Sequence, residues 1–146
     1  MKTSARNQFF GRVSHIHSGS VNDEIEIELT GGDKLVAIIT QTSTEHLGLA
    51  VGVEVFALIK ASSVLLMTDL SHSKVSARNV LSGEISDIKT GQVNSEISIK
   101  LPGGDTVVAV ITNESAQRLE LQTGKAVSAV IKASNIIIGL NESQAN

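Results

Sequence analysis

The tetrapeptides "SARN" (Ser4–Asn7) and "IKAS" (Ile59–Ser62) carry side chains suited to holding an anion. Arg6 brings a guanidinium, Lys60 an ammonium, Ser4 and Ser62 hydroxyls, and Asn7 an amide. The alanines between them are small enough to let backbone N–H groups approach a ligand. Each polar group donates a hydrogen bond or can do so, the only charges are positive, and neither motif contains a carboxylate. That is the composition of an oxyanion cradle. A second reading stays open at this level. "SARN" can be a turn and "IKAS" a strand end, with Arg6 and Lys60 paired to surface acids.

Both motifs recur 72 positions later, as Ser76–Asn79 and Ile131–Ser134, so Ser76, Arg78, Asn79, Lys132 and Ser134 repeat the same donors. "GSVN" at Gly19–Asn22 returns as "GQVN" at Gly91–Asn94, which keeps Gly19, Val21 and Asn22 as Gly91, Val93 and Asn94. About 31 of about 67 aligned positions are identical without a gap. Two copies of this length are too long for solenoid units and fit two small domains.

Within one copy, Val21–Leu29 alternates, with Val21, Ile25, Ile27 and Leu29 on one face and Glu24, Glu26 and Glu28 on the other. Period two marks a half-buried strand. Thr30–Asp33 ("TGGD") is a hairpin turn with Gly supplying positive φ, and Lys34–Thr40 is the returning strand. Thr42 followed by Glu45 predicts a capping box and a short helix over Ser43–Leu47, and the second copy lacks that pair. Asn7–Ile16 is the first strand, with Gly11 expected as a bulge or bend; Val53–Lys60 and Ser63–Met67 are the last two. The order, three strands, a short helix, two strands, is that of an OB-type barrel. The expectation is a mainly β protein of two tandem OB-like five-stranded barrels, over residues 1–68 and 76–142, with a linker at 69–75 and a tail at 143–146.

Composition narrows the function. The chain has 146 residues, 41% hydrophobic and 18% charged, with net charge −3. A domain near 70 residues is marginal alone, and with no cysteine there is no disulfide to reinforce it and no thiolate for zinc. Contact between the repeats or oligomerisation must help. Negative charge and 2% aromatic content argue against nucleic-acid binding, which needs a basic groove and stacking rings. No Ser-His-Asp arrangement or acid–base pair is shared by the copies, so no catalytic residues are expected and the chain is not read as an enzyme. His15 and His17 become Asp87 and Lys89 in the second copy, so no bare-cation site is expected, and His46 and His72 have no partner in sequence. No run approaches a membrane span and no signal peptide is evident, so a cytoplasmic location is expected. Glu24, Glu26 and Glu28 become Glu96, Ser98 and Lys100, the behaviour of a solvated face.

"SARN" near the start, "G-x-VN-x-E" after the first strand, "GGD" at the hairpin and "IKAS" before the last strand, each twice and in order, resemble the Mop domain of the Mop/TOBE family. Nearly the whole chain is covered, as in the tandem (di-Mop) molbindins, small bacterial molybdate/tungstate-binding proteins. The resemblance implies a cytoplasmic role in molybdenum storage or homeostasis, with no catalytic cofactor and molybdate or tungstate as ligand. It implies threefold assembly, hence a homotrimer with oxyanions between domains; composition and hydropathy lead to the expectation of no nucleic-acid or membrane partner. The main ligands it implies are Ser4, Arg6, Lys60, Ser62, Ser76, Arg78, Lys132 and Ser134. Backbone groups of Ala5, Ala61, Ala77 and Ala133 would assist, as would Asn7, Asn79 and the loop residues Gly19, Val21, Asn22, Gly91, Val93 and Asn94. An alternative within the same resemblance is a regulatory or interaction module that oligomerises around the anion without storing it. Molybdate is a tetrahedral dianion without a proton near neutral pH, so one Arg and one Lys balance its charge. Phosphate carries a proton that needs an acceptor these motifs do not contain.

Overall fold

Twelve residues of alternating burial, Asn7–Ser18, form the long first strand β1. It pairs antiparallel with β2 (Asn22–Leu29), which turns through Gly32, at φ 98°, into β3 (Lys34–Thr40). Helix α1 (Gln41–Leu47) leads to β4 (Glu54–Ile59), which returns to pair with β1. A single 3-10 turn at Ala61–Ser63 precedes β5 (Leu65–Met67). The second repeat repeats the series: β6 (Asn79–Thr90), β7 (Asn94–Lys100), β8 (Thr106–Thr112), α2 (Asn113–Arg118), β9 (Ala126–Ile131), a 3-10 turn at Ala133–Asn135 and β10 (Ile137–Gly139). The computed structural model describes residues 1–70 and 73–141; His72 and the expected tail at 143–146 lie outside the described residues. The fold is mainly β and OB-like, with each helix between the third and fourth strands of its repeat.

The last strands are exchanged. One sheet runs β10-β4-β1-β2-β3 and the other β5-β9-β6-β7-β8, so each repeat completes the other's sheet. The 3-10 turn before β10 packs on β3, and the turn before β5 packs on β8. Buried Ile25, Ile27, Leu35 and Ile59 join Ile97, Ile99, Val107 and Ile131 in one hydrophobic cluster. Each such side chain is worth about 1.5–3 kcal/mol when fully buried. Neither repeat therefore has a complete sheet of its own, which answers the marginal size of a 70-residue unit.

Several local expectations change. Thr40, not Thr42, caps α1: its hydroxyl accepts from Ser43 N–H at 3.1 Å, and Thr112 does the same for Ser115 at 3.1 Å. Both repeats thus share one cap, since Thr and Ser stand three apart in each. Gly11 is not the bulge. The register slips between Val13 and His15, and Gly11 is where β2 comes so close that a Cβ would collide with the Glu28 carbonyl. Val21 lies in the loop before β2 and is 69% exposed; Asp23 takes the inward position instead, its carboxylate accepting from Gly19 N–H at 3.3 Å.

The two β-hairpin tips meet. Asp33 accepts from Gly103 N–H at 3.2 Å, while one carboxylate oxygen of Asp105 is buried with no hydrogen-bond partner among the described residues. Loss of solvent raises the Asp105 carboxyl above the usual carboxylate range, and the nearby Asp33 charge adds to it.

Candidate oxyanion site

Pairing of β1 with β4 brings "SARN" and "IKAS" together. Asn7 stands opposite Ile59 at the end of that ladder, so Arg6 and Lys60 are the next residues along the two strands. In the second repeat Asn79 stands opposite Ile131 at the end of the corresponding ladder, with Arg78 and Lys132 the next residues along the two strands. Ser4, Arg6, Lys60, Ser62 and their counterparts Ser76, Arg78, Lys132 and Ser134 are all exposed, whereas Ala61 and Ala133 are buried. The 3-10 turns begin at those alanines, and such a turn supplies no partners for its own first N–H groups. Ala5 and Ala77 are half-buried. The eight main candidates therefore fall in two groups of donors, one adjoining the end of the β1–β4 ladder and one the end of the β6–β9 ladder.

Each cluster lies against the other repeat. Asn7 is 1% exposed; its amide donates to the Val108 carbonyl at 2.8 Å and accepts from Val108 N–H at 2.7 Å. Asn79 makes the same pair with Val36, at 2.8 and 2.7 Å. These two amides read the other repeat's third strand as a neighbouring strand would. Asn7 and Asn79 are expected to assist at the anion through backbone or secondary contacts; in the structure both ends of each side-chain amide are bonded to backbone and buried.

The arginines also cross over. Arg6 donates from both terminal nitrogens to Glu96, at 2.6 and 3.0 Å, a bidentate fork. Arg78 pairs with Glu24. A carboxylate absent from both motifs is thus brought to each cluster by β2 or β7 of the opposite repeat. Glu24 and Glu96 are not the generic solvated acids that the strand face suggested. The signal was present in sequence: of the three glutamates on that face, only Glu24 keeps its identity in the second copy. The fold also supplies an acceptor that the motifs alone lacked, so exclusion of a protonated anion does not follow from motif composition.

The "GSVN" and "GQVN" loops serve the helices as well as the strands. The Val21 carbonyl accepts from Gln41 N–H at 2.9 Å, and the Val93 carbonyl from Asn113 N–H at 2.8 Å, each at the start of a helix. Gly19 and Gly91 donate to the carbonyls of Asn22 and Asn94, at 3.0 and 2.8 Å, closing the loops. Asn22 and Ser134 line one hollow of about 670 Å³ with Thr42, Ser43 and His46, so a loop of the first repeat meets the "IKAS" end of the second. His15 and His17 rings lie 5.8 Å apart, and no cluster of three or more His, Cys, Asp or Glu side chains occurs among the described residues.

The TOBE domain matches residues 3–66 and again residues 75–138. The chain belongs to the TOBE-domain family. It is a tandem of two TOBE repeats, in agreement with the Mop resemblance. The TOBE tandem is 50% identical to the cytoplasmic molybdate-binding protein ModG, solved with molybdate bound; the match covers 97% of this chain and 100% of that one, with a TM-score of 0.93. It is 46% identical over 140 residues to the molybdenum transport protein ModE of Azotobacter vinelandii, covering 96% of this chain and 52% of that protein. It is 43% identical over 140 residues to the molybdenum-pterin-binding protein MopA of Rhodobacter capsulatus, covering 96% of this chain and 53% of that protein. The TOBE tandem thus spans about half the length of the curated relatives it matches.

Proposed function

We propose that this chain is a cytoplasmic molybdate- and tungstate-binding protein, holding the anion for storage or homeostasis rather than transforming it. The observation that carries this reading is the doubled set of donors: Arg6 and Lys60 adjoin the end of the β1–β4 ladder, Arg78 and Lys132 adjoin the end of the β6–β9 ladder, and each set runs into a 3-10 turn. The end-to-end likeness to molybdate-bound ModG supports it. Ser4, Arg6, Lys60 and Ser62, with Ser76, Arg78, Lys132 and Ser134, are the main ligands in this reading. Ala5, Ala61, Ala77 and Ala133 contribute backbone N–H groups, and Asn22 and Asn94 with their loops serve further sites. One Arg and one Lys match the two charges of the dianion, with charge-assisted bonds of about 1.5–3 kcal/mol each.

The clusters are exposed in the single chain, and a dianion is held better with water excluded, so assembly completes the reading. The protein forms a closed homotrimer of about 45 kDa, three times the 15.3 kDa chain. In this reading nucleic acid is not a partner, in keeping with the chain's net charge of −3 and 2% aromatic content.

Equilibrium dialysis against molybdate, tungstate, sulfate and phosphate, with sedimentation of the loaded protein, tests it. Arg6→Ala with Arg78→Ala, and separately Lys60→Ala with Lys132→Ala, are expected to weaken molybdate binding by roughly tenfold to a few hundredfold per site. Wild-type affinity in the folded arginine double variant, or a monomer at micromolar concentration, would overturn the respective part of the reading.

A further inference from the structure

We propose that Glu24 and Glu96 are latches on the anion sites: each carboxylate occupies the arginine of the other repeat's cluster until an oxyanion displaces it. This rests on the binding reading above and adds a pair of residues that tune it. The motivating geometry is the bidentate contact of Arg6 with Glu96, at 2.6 and 3.0 Å, and its counterpart between Arg78 and Glu24. A carboxylate presents two oxygens to the guanidinium fork as two oxygens of a tetrahedral oxyanion would, so the glutamate is an internal stand-in for the ligand. A dianion within about 4–6 Å of a carboxylate is opposed by like charge, so the two do not share one guanidinium comfortably.

Two further observations separate a latch from an incidental surface pair. The acids are the one position on the exposed face of β2 and β7 that both repeats keep as glutamate, while Glu26 and Glu28 give way to Ser98 and Lys100. Both pairs also join one repeat to the other, at the edge of the clamps made by Asn7 on Val108 and Asn79 on Val36. Displacing the carboxylate therefore frees one inter-repeat contact for each anion taken up. The side chains of Glu24 and Glu96 are 33% and 20% exposed, open enough for the exchange to occur without unfolding the strand.

The test uses the full chain with Glu24→Gln and Glu96→Gln together, molybdate as probe, and melting temperature of the anion-free protein as a second readout. A latch predicts molybdate affinity about three- to tenfold tighter per site, with an anion-free melting temperature equal to or below that of wild type. Glu54→Gln, which breaks the remote Arg12–Glu54 pair (3.0 Å), controls for loss of any surface ion pair and is expected to leave affinity unchanged. Unchanged affinity in the glutamine double variant makes the pairs purely structural. Weaker binding makes the glutamates braces that hold the arginines in place. Either result overturns the latch while leaving the binding reading intact. Absence of molybdate binding in wild type removes the binding reading itself, and the latch with it.

Discussion

The two repeats agree where they touch each other and differ where they receive the exchanged strand. Asn7 on Val108 matches Asn79 on Val36 almost to the tenth of an ångström, and Arg6–Glu96 has its counterpart in Arg78–Glu24. On the strand-exchange side the repeats are complementary instead. Phe56 of β4 stands opposite Gly139 of β10, while Ser128 of β9 stands opposite Met67 of β5. A large residue meets a small one in both sheets, but the sizes are reversed. A Cβ at Gly139 would collide with the Phe56 ring. If each repeat kept its own last strand, Phe56 would face Met67 and Ser128 would face Gly139, one pair crowded and the other hollow. The difference between the repeats thus favours exchange within the chain, and the likeness keeps the two candidate donor groups alike. Next to this, Phe10 pairs across with Phe56, where the second repeat has Ser82 bonded to Ser128 at 2.9 Å.

Breaking the likeness should produce the largest effect. Asn7→Ala and Asn79→Ala each remove the partner of one backbone N–H and one carbonyl of the opposite repeat, buried at Val108 and half-buried at Val36, at about 1–3 kcal/mol per group. Chemical denaturation should show losses of several kcal/mol, nearly equal for the two variants. Clearly unequal losses would mean that the two clamps are not equivalent.

Breaking the complementarity comes next. Gly139→Met is expected to cost about 1–3 kcal/mol by overpacking against Phe56. Adding Phe56→Ser should recover much of that loss, because the pair then resembles Ser128 with Met67. A double-mutant cycle with no coupling between the two positions would refute size matching as the reason for the exchange.

The smallest effect sharpens a third contrast, that between Asp33, which has a partner at the hairpin tips, and Asp105, whose buried oxygen has none. The Asp105 carboxyl is raised in the folded state, so its favourable contribution is full below the unfolded value of 3.8 and is lost as pH rises through the folded value. At neutral pH the buried charge is a cost. Asp105→Asn should therefore stabilise the protein at pH 7 by up to about 1 kcal/mol. The gain should shrink as pH falls toward 4, and thermal melts across that range would show it. A loss of stability at pH 7 would show that the carboxylate is held by favourable contacts.

Much of this protein is legible in its sequence. Period-two alternation marks Val21–Leu29 as a strand, observed over Asn22–Leu29, because one face of a sheet must be apolar. The order of elements followed from turn and cap chemistry, which acts over a few residues. The donor clusters were visible because an internal repeat preserves them through a background that has otherwise drifted. Even the Thr40 and Thr112 caps are readable, from a Thr-x-x-Ser pair kept in both copies, whereas the Thr42–Glu45 pair occurs in the first copy alone. Three features were not readable, and all depend on which segments meet. Sequence alternation is blind to partner choice, so it cannot say that β5 completes the second sheet and β10 the first. It cannot say that Asn7 is spent on Val108, since an amide's partner is set by backbone 101 positions away. Nor can it bring Glu96 to Arg6, 90 positions apart. The donors of each candidate group are local to a repeat and therefore written in it. The acid that opposes them comes from the other repeat, and only the packing of the two against each other supplies it.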